Sequence, residues 1–167
     1  SQMLKGRLGV LNSSVSWVHG LSRFGAKVDE NNAALDVPKA QFYKLICDLS
    51  GSIPIQFRTN ILSFRTSIHA QYTEETLFSS QKISIGDFYS VRGFNGTTIS
   101  GDKGFYSRNE LSSSLASSFP GNSFFQQIMI FSALDFGYVS SKIGIDANNG
   151  QGKGKLVGAA LGLRAYF

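Results

Sequence analysis

An all-β fold with strands long enough to cross a membrane is the architecture this sequence predicts, and three observations predict it. The 167 residues hold 18 Gly, 14 Phe and 6 Tyr with only 3 Pro, while the Ala-Glu-Lys-Leu mixture that fills helices is thin. Several segments alternate apolar and polar residues with period two. Those segments exceed the ~5–6 residues usual in soluble strands and reach the ~9–11 that a tilted strand needs to span a bilayer.

Candidate strands run about 6–19, 40–50, 57–73, 80–89, 104–116, 126–140 and 154–167, mostly antiparallel neighbours. In the second, Tyr43, Leu45, Cys47 and Leu49 oppose Lys44, Ile46 and Asp48. The third sets Leu62, Phe64, Thr66, Ile68, Ala70 and Tyr72 against Ser63, Arg65, Ser67, His69 and Gln71. The sixth sets Ile128, Ile130, Leu134, Phe136 and Tyr138 against Gln127, Met129, Phe131, Ala133, Asp135 and Gly137. In the last, Val157, Ala159, Leu161, Leu163, Ala165 and Phe167 oppose Gly158, Ala160, Gly162, Arg164 and Tyr166. Alternation serves a soluble β-sandwich as well as a transmembrane barrel. Polar faces carrying Arg65, His69, Gln71, Asp135 and Arg164 suit a wet lumen, and Tyr72, Tyr138 and Phe167 near apolar strand ends suit an aromatic girdle. The barrel is favoured on those grounds.

The connections differ in kind: "SFPGNS" at 118–123 is a compact Pro-Gly turn, whereas 26–38 and 140–154 are long and polar. No internal repeat or linker marks a second domain, so 1–167 reads as one partial barrel domain. Net charge is +5 with the cations scattered, and only "KGK" at 153–155 clusters, which argues against a nucleic-acid partner. The single Cys47 has no disulfide partner and fits no zinc site. No stretch approaches ~20 apolar residues and the N-terminus lacks a signal-peptide pattern, so any membrane role falls to strands.

The chemistry-bearing residues assemble no catalytic group. His19 and His69 stand far apart without carboxylate or thiol spacing, so no metal is expected. The Ser-rich run 112–118 has no nucleophile-elbow pattern. Arg108 and Glu110, two apart on one strand face, read as a lumenal charge ladder. No enzyme activity and no cofactor are expected.

One segment is more specific. "ISIGDFYSVRGFNGTTISGDKGFYSRNEL", 83–111, resembles the signature of the outer-membrane transporters of two-partner secretion, with SVRGF followed by Ser100, Gly101, Asp102, Gly104, Tyr106, Arg108, Asn109, Glu110 and Leu111 in order. "ALDFG", 133–137, is similar to that family's Phe-x-Asp-x-Gly strand motif with Ala133 in the Phe position, and "LVGAALGLRAYF", 156–167, is similar to the strand that follows. The resemblance implies the C-terminal part of a sixteen-stranded barrel in the bacterial outer membrane, in contact with its lipid. It implies export of an unfolded partner exoprotein: an adhesin, a haemolysin or a contact-dependent toxin. A loop at about 90–104 would fold into the lumen and there pair Arg92 with Asp135, with Val91, Gly93, Phe94 and Gly137 around the pair and Gly101, Asp102, Arg108, Asn109 and Glu110 in support. The related barrel-assembly insertases also carry VRGF, and they remain the alternative within this architecture; a soluble β-sandwich binding domain is the alternative outside it.

The same resemblance implies periplasmic domains and two further strands that these residues lack, so the chain is expected to be part of a longer protein. Counting strand directions back from the VRGF loop places 26–38 on the periplasmic side.

Overall fold

A computed structural model of the chain describes residues 3–4, 7–23, 25, 28–29, 37–57, 60–94, 96, 98–116, 127–142 and 152–166. A two-residue pairing of β1 (Met3–Leu4) with β2 (Arg7–Leu8) precedes the first long strand, β3 (Val10–His19). β4 (Tyr43–Phe57) and β5 (Asn60–Tyr72) follow, then the short β6 (Ile83–Ile85) and β7 (Ile99–Gly101). The chain continues as β8 (Lys103–Ala116), β9 (Gln127–Ser140) and β10 (Lys153–Tyr166). Six of these form one open sheet in the order β10-β9-β8-β5-β4-β3, with every pairing antiparallel.

The wall therefore has six strands rather than the expected seven, because 80–89 is not part of it. Only Ile83–Ile85 of that segment forms a strand, and it pairs with Ile99–Gly101 in a separate hairpin. Its alternation stops where Asp87 accepts hydrogen bonds on Oδ1 from the backbone N–H groups of Tyr89 (2.8 Å) and Ser90 (2.7 Å), a side-chain-closed turn that competes with strand continuation. The second strand also runs further than 40–50. Ile53, Ile55 and Phe57 keep the outward period and carry β4 to Phe57, which pairs with Asn60 of β5. Pro54 is tolerated there because β3 pairs with β4 only as far as Ser52, so no β3 partner lies across from it.

Removing one strand from the count reverses the expected side of residues 26–38. The β3–β4, β5–β8 and β9–β10 connections share one rim and are the long ones, while the β4–β5 and β8–β9 connections lie at the other. The 26–38 segment, of which 28–29 and 37–38 are described, thus belongs to the same rim as the VRGF loop. Long loops on one rim and short turns on the other is the usual barrel arrangement. The compact turn at 118–123 lies outside the described residues.

Register lines up the two faces across the sheet. Val15, Cys47, Ala70, Phe105 and Tyr138 share a face, as do Leu11, Gly51 and Thr66 two steps along. This outer face is apolar and open: Trp17 is 74 % exposed, Leu161 77 % and Val157 68 %. So broad an uncovered apolar surface requires an apolar surrounding. The inner face carries Asp48, His69, Arg108, Glu110, Asp135 and Arg164, and the β6–β7 hairpin lies against it.

Candidate functional site: a loop anchored on the inner wall

The connection between β5 and β8 turns inward and packs on β8, β9 and β10. Its grip is partly apolar. Ile83, Ile85 and Val91 of the loop form a buried cluster with Val139 of β9, flanked by Phe94, Ile99, Tyr106 and Leu156. Gly137 makes room for it, since a Cβ there would stand 2.9 Å from Val91 Cγ2 and 3.0 Å from Ile85 Cγ2. Gly158 does the same for the loop backbone: a Cβ at that position would overlap the carbonyl oxygen of Arg92. At Gly93 the chain reverses with φ of 96°, a conformation that costs a residue with Cβ and costs glycine little.

Against this apolar bed Arg92 reaches β9 and β8. Its Nε donates to Asp135 Oδ2 at 2.6 Å and its Nη2 to Oδ1 at 2.8 Å, the two-pronged geometry that makes guanidinium–carboxylate pairs strong. The Arg92 backbone N–H adds a bond to Oδ2 at 3.2 Å, and the Asn109 backbone N–H one to Oδ1 at 3.2 Å. Asp135 thus accepts four hydrogen bonds while only 1 % exposed. The remaining Arg92 nitrogen, Nη1, donates to Glu110 Oε2 at 3.0 Å, and Nη2 also reaches the Asn109 carbonyl at 3.4 Å. The bond to Asp135 holds the Arg92 guanidinium above its ordinary pKa, against the opposing effect of burial, so it stays charged.

Glu110 is shared. Arg164 of β10 donates to both its oxygens, at 2.6 and 2.8 Å, while lying over the Phe131 ring at 4.2 Å. Two arginines and two carboxylates therefore close a charge-balanced network across three adjacent strands and the loop. Arg108, directly opposite Asp135 in register, stands beside this network rather than within it. Its Nη1 donates to the Tyr89 carbonyl at 3.2 Å and its guanidinium faces the Phe88 ring at 5.9 Å, while its buried Nε has no partner among the described residues.

Asn109 contributes only backbone to the inner site. Its side chain faces outward, where Nδ2 donates to the Leu134 carbonyl and to Ser107 Oγ, both at 3.1 Å, and Oδ1 accepts from Thr66 Oγ1 at 2.9 Å. Gly101 sits where the hairpin leaves for β8, its position tight against the Ser140 backbone. The neighbouring Asp102 ties the neck of the loop. Its Oδ1 accepts from the Leu77 N–H at 2.9 Å, with Lys82 Nζ 3.5 Å away, and its Oδ2 accepts from Ser141 Oγ at 2.6 Å and the Lys142 N–H at 3.0 Å. Burial pushes the Asp102 carboxyl up, but those hydrogen bonds and the Lys82 charge outweigh it and leave the group below its ordinary value. His69 pairs with Asp48 at 2.7 Å on the inner face, and His19 stacks on Tyr43 on the outer one.

Four participants were not legible as such from the sequence: Arg164 as the second cation, Glu110 as the shared carboxylate, Gly158 as the seat of the Arg92 carbonyl and Asp102 as the neck clamp. Period two did place Gly158 and Arg164 on one face, six residues apart; that they meet Glu110 follows only from the register of β8, β9 and β10.

An antiparallel wall that is greasy outside and charged inside, with a long rim loop pinned to its inner face, defines a segment of an outer-membrane β-barrel. Comparison with known proteins carries the assignment further. Residues 1–165 match the family described as haemolysin secretion/activation protein ShlB/FhaC/HecB, and the chain belongs to that family. It is 35 % identical over 158 residues to the outer membrane transporter CdiB of Escherichia coli, covering 95 % of this chain and 24 % of that protein. It is 34 % identical over 111 residues to the CdiB of Dickeya dadantii, covering 66 % and 19 %. The solved structure of CdiB from Escherichia coli superimposes with a TM-score of 0.76 at 34 % identity, over 95 % of this chain and 27 % of that one. CdiB from Acinetobacter baumannii gives 0.60 at 29 %, over 76 % and 22 %. The chain thus spans about a quarter of the length of its first relatives, and its place is the bacterial outer membrane.

Proposed function

We propose that these residues form part of a translocator that secretes a large unfolded exoprotein, an adhesin, haemolysin or contact-dependent toxin, through the lumen of a sixteen-stranded barrel. The outer face lies against membrane lipid, and transport needs no catalytic group or cofactor from this segment. The observation that carries the reading is the Arg92–Asp135 pair, which holds a rim loop inside the wall where a passing polypeptide has to run. Docking and release of that loop set the conductive state. Family membership and the transporter names of the relatives support it.

The test is secretion by cells producing a full-length transporter that carries this segment together with its candidate exoprotein. Loss of the transporter is expected to abolish surface delivery of the exoprotein while other outer-membrane barrels assemble normally. Normal delivery together with a general failure of barrel assembly would instead identify an insertase.

A further inference from the structure

At the rim of the long connections, the outer face bears a groove of about 660 Å³ between strands β4, β5, β8, β9 and β10. Ala70 lines its base, Tyr72 stands on one side and Phe105 and Tyr138 on the other, and Lys103 and Lys153 close it at the rim. Both lysines pair in register with Ser140, one from each neighbouring strand. They therefore share a face and a height, with backbones two inter-strand steps, ~10 Å, apart. Gly154 points inward against Ile99 Cγ2, which fixes Lys153 and Lys155 on the outward side.

Among the described residues no carboxylate forms an ion pair with Lys103, Lys153 or Lys155. Lys103 lies over the Tyr72 ring at 5.3 Å, and the nearby Glu74 is engaged by the Tyr72 hydroxyl at 2.9 Å. Ammonium groups without an ion-pair partner among the described residues, above an aromatic and aliphatic trough, match an anionic amphiphile whose charge sits at the interface and whose chains run down the wall.

We propose that this groove binds a phosphorylated, multiply acylated glycolipid of the outer leaflet, its phosphates on Lys103 and Lys153 and an acyl chain against Phe105 and Ala70. Two features favour this lipid over a phospholipid. Barrels carry their long connections on the outer side, where that glycolipid forms the leaflet. The spacing of the two lysines also suits two phosphates on one sugar headgroup better than one.

The experiment uses the full-length transporter in detergent and follows lipid retained by native mass spectrometry. Bisphosphorylated glycolipid is expected to bind to the wild type, and the double variant Lys103→Gln, Lys153→Gln to bind roughly 30-fold more weakly, about fivefold per lysine near an anionic surface. A Lys103→Arg, Lys153→Arg variant should keep most of the affinity. On the wild type alone, glycolipid stripped of its phosphates should bind poorly. Equal binding by the wild type and the Gln variant, equal binding of the dephosphorylated lipid, or a preference for phosphatidylglycerol would each overturn the assignment.

Discussion

Replacing Arg92 with alanine tests whether the ion pair or the apolar bed holds the loop. The substitution removes both guanidinium bonds from Asp135 and leaves that carboxylate, 1 % exposed, with only the backbone N–H groups of residues 92 and 109. Stripping one partner from a buried pair costs about 3–5 kcal/mol. An exposed pair would contribute only ~0–1 kcal/mol, and the burial of both partners decides between the two figures. The wall ladder is untouched, so the cost falls on docking: the undocked population should rise between roughly 150-fold and a few thousand-fold. Val91, fully buried under the docked loop, supplies the reporter. In a full-length transporter with the native Cys47 replaced by alanine, a Val91→Cys thiol should react with a water-soluble maleimide only when the loop lifts. Labelling should accelerate by that factor on adding Arg92→Ala, and exoprotein secretion should collapse while insertion and heat-modifiable migration remain. Unchanged labelling with intact secretion would mean that the apolar contacts hold the loop alone and that the ion pair does not.

Four other outcomes follow from the same geometry. Gly158→Val removes no charge, yet its side chain occupies the space of the Arg92 carbonyl; Val91→Cys labelling should accelerate as it does for Arg92→Ala. Asp102→Ala strands the buried Leu77 N–H, a loss of about 1–3 kcal/mol, and releases the Lys142 N–H at the exposed end of the clamp, and should make the loop neck sensitive to protease. Because the folded Asp102 carboxyl lies below its free value of ~3.9, its contribution is complete above about pH 4 and disappears as acid crosses the lowered folded value; protease sensitivity of the wild type should therefore stay flat from about pH 5 to 8. The exchange Arg92→Asp with Asp135→Arg should recover only a small part of secretion, since the new aspartate would face Glu110, which sits 3.0 Å from the present Arg92 Nη1; secretion restored to the wild-type level would show that Glu110 is not coupled to the anchor.

The faces of the wall were legible because period two is enforced by the pleat, and every described residue of the alternating runs from Tyr43 to Tyr166 keeps in the structure the face it has in the sequence. The strand count was not legible from 80–89. "ISI" looks like the start of a wall strand, and nothing local says that its partner is Ile99–Gly101 instead of a neighbour in the sheet. The Asp87 turn that ends it is visible only once the side chain is seen closing on Tyr89 and Ser90. One surplus strand was enough to send residues 26–38 to the wrong rim, since every strand inverts the direction of all that precede it.

The site divides along the same line. A motif can name Arg92 and Asp135, but whether the pair holds anything depends on water, and water is excluded by residues that carry no charge. Val91, Ile85 and Val139 seal one side, and the bare backbone at Gly137 and Gly158 lets the loop settle close enough for Arg92 Nε to reach 2.6 Å. Glu110 then prevents the opposite failure. With Asp135 alone, the network would hold Arg164 and Arg92 against a single carboxylate, and like charges in a low-dielectric site repel. By gripping Arg164 with both oxygens and still accepting from Arg92, Glu110 neutralises the second arginine and links β10 to the loop through β8. The loop is thus tied to three adjacent wall strands at once, and a distortion of any of them reaches Arg92.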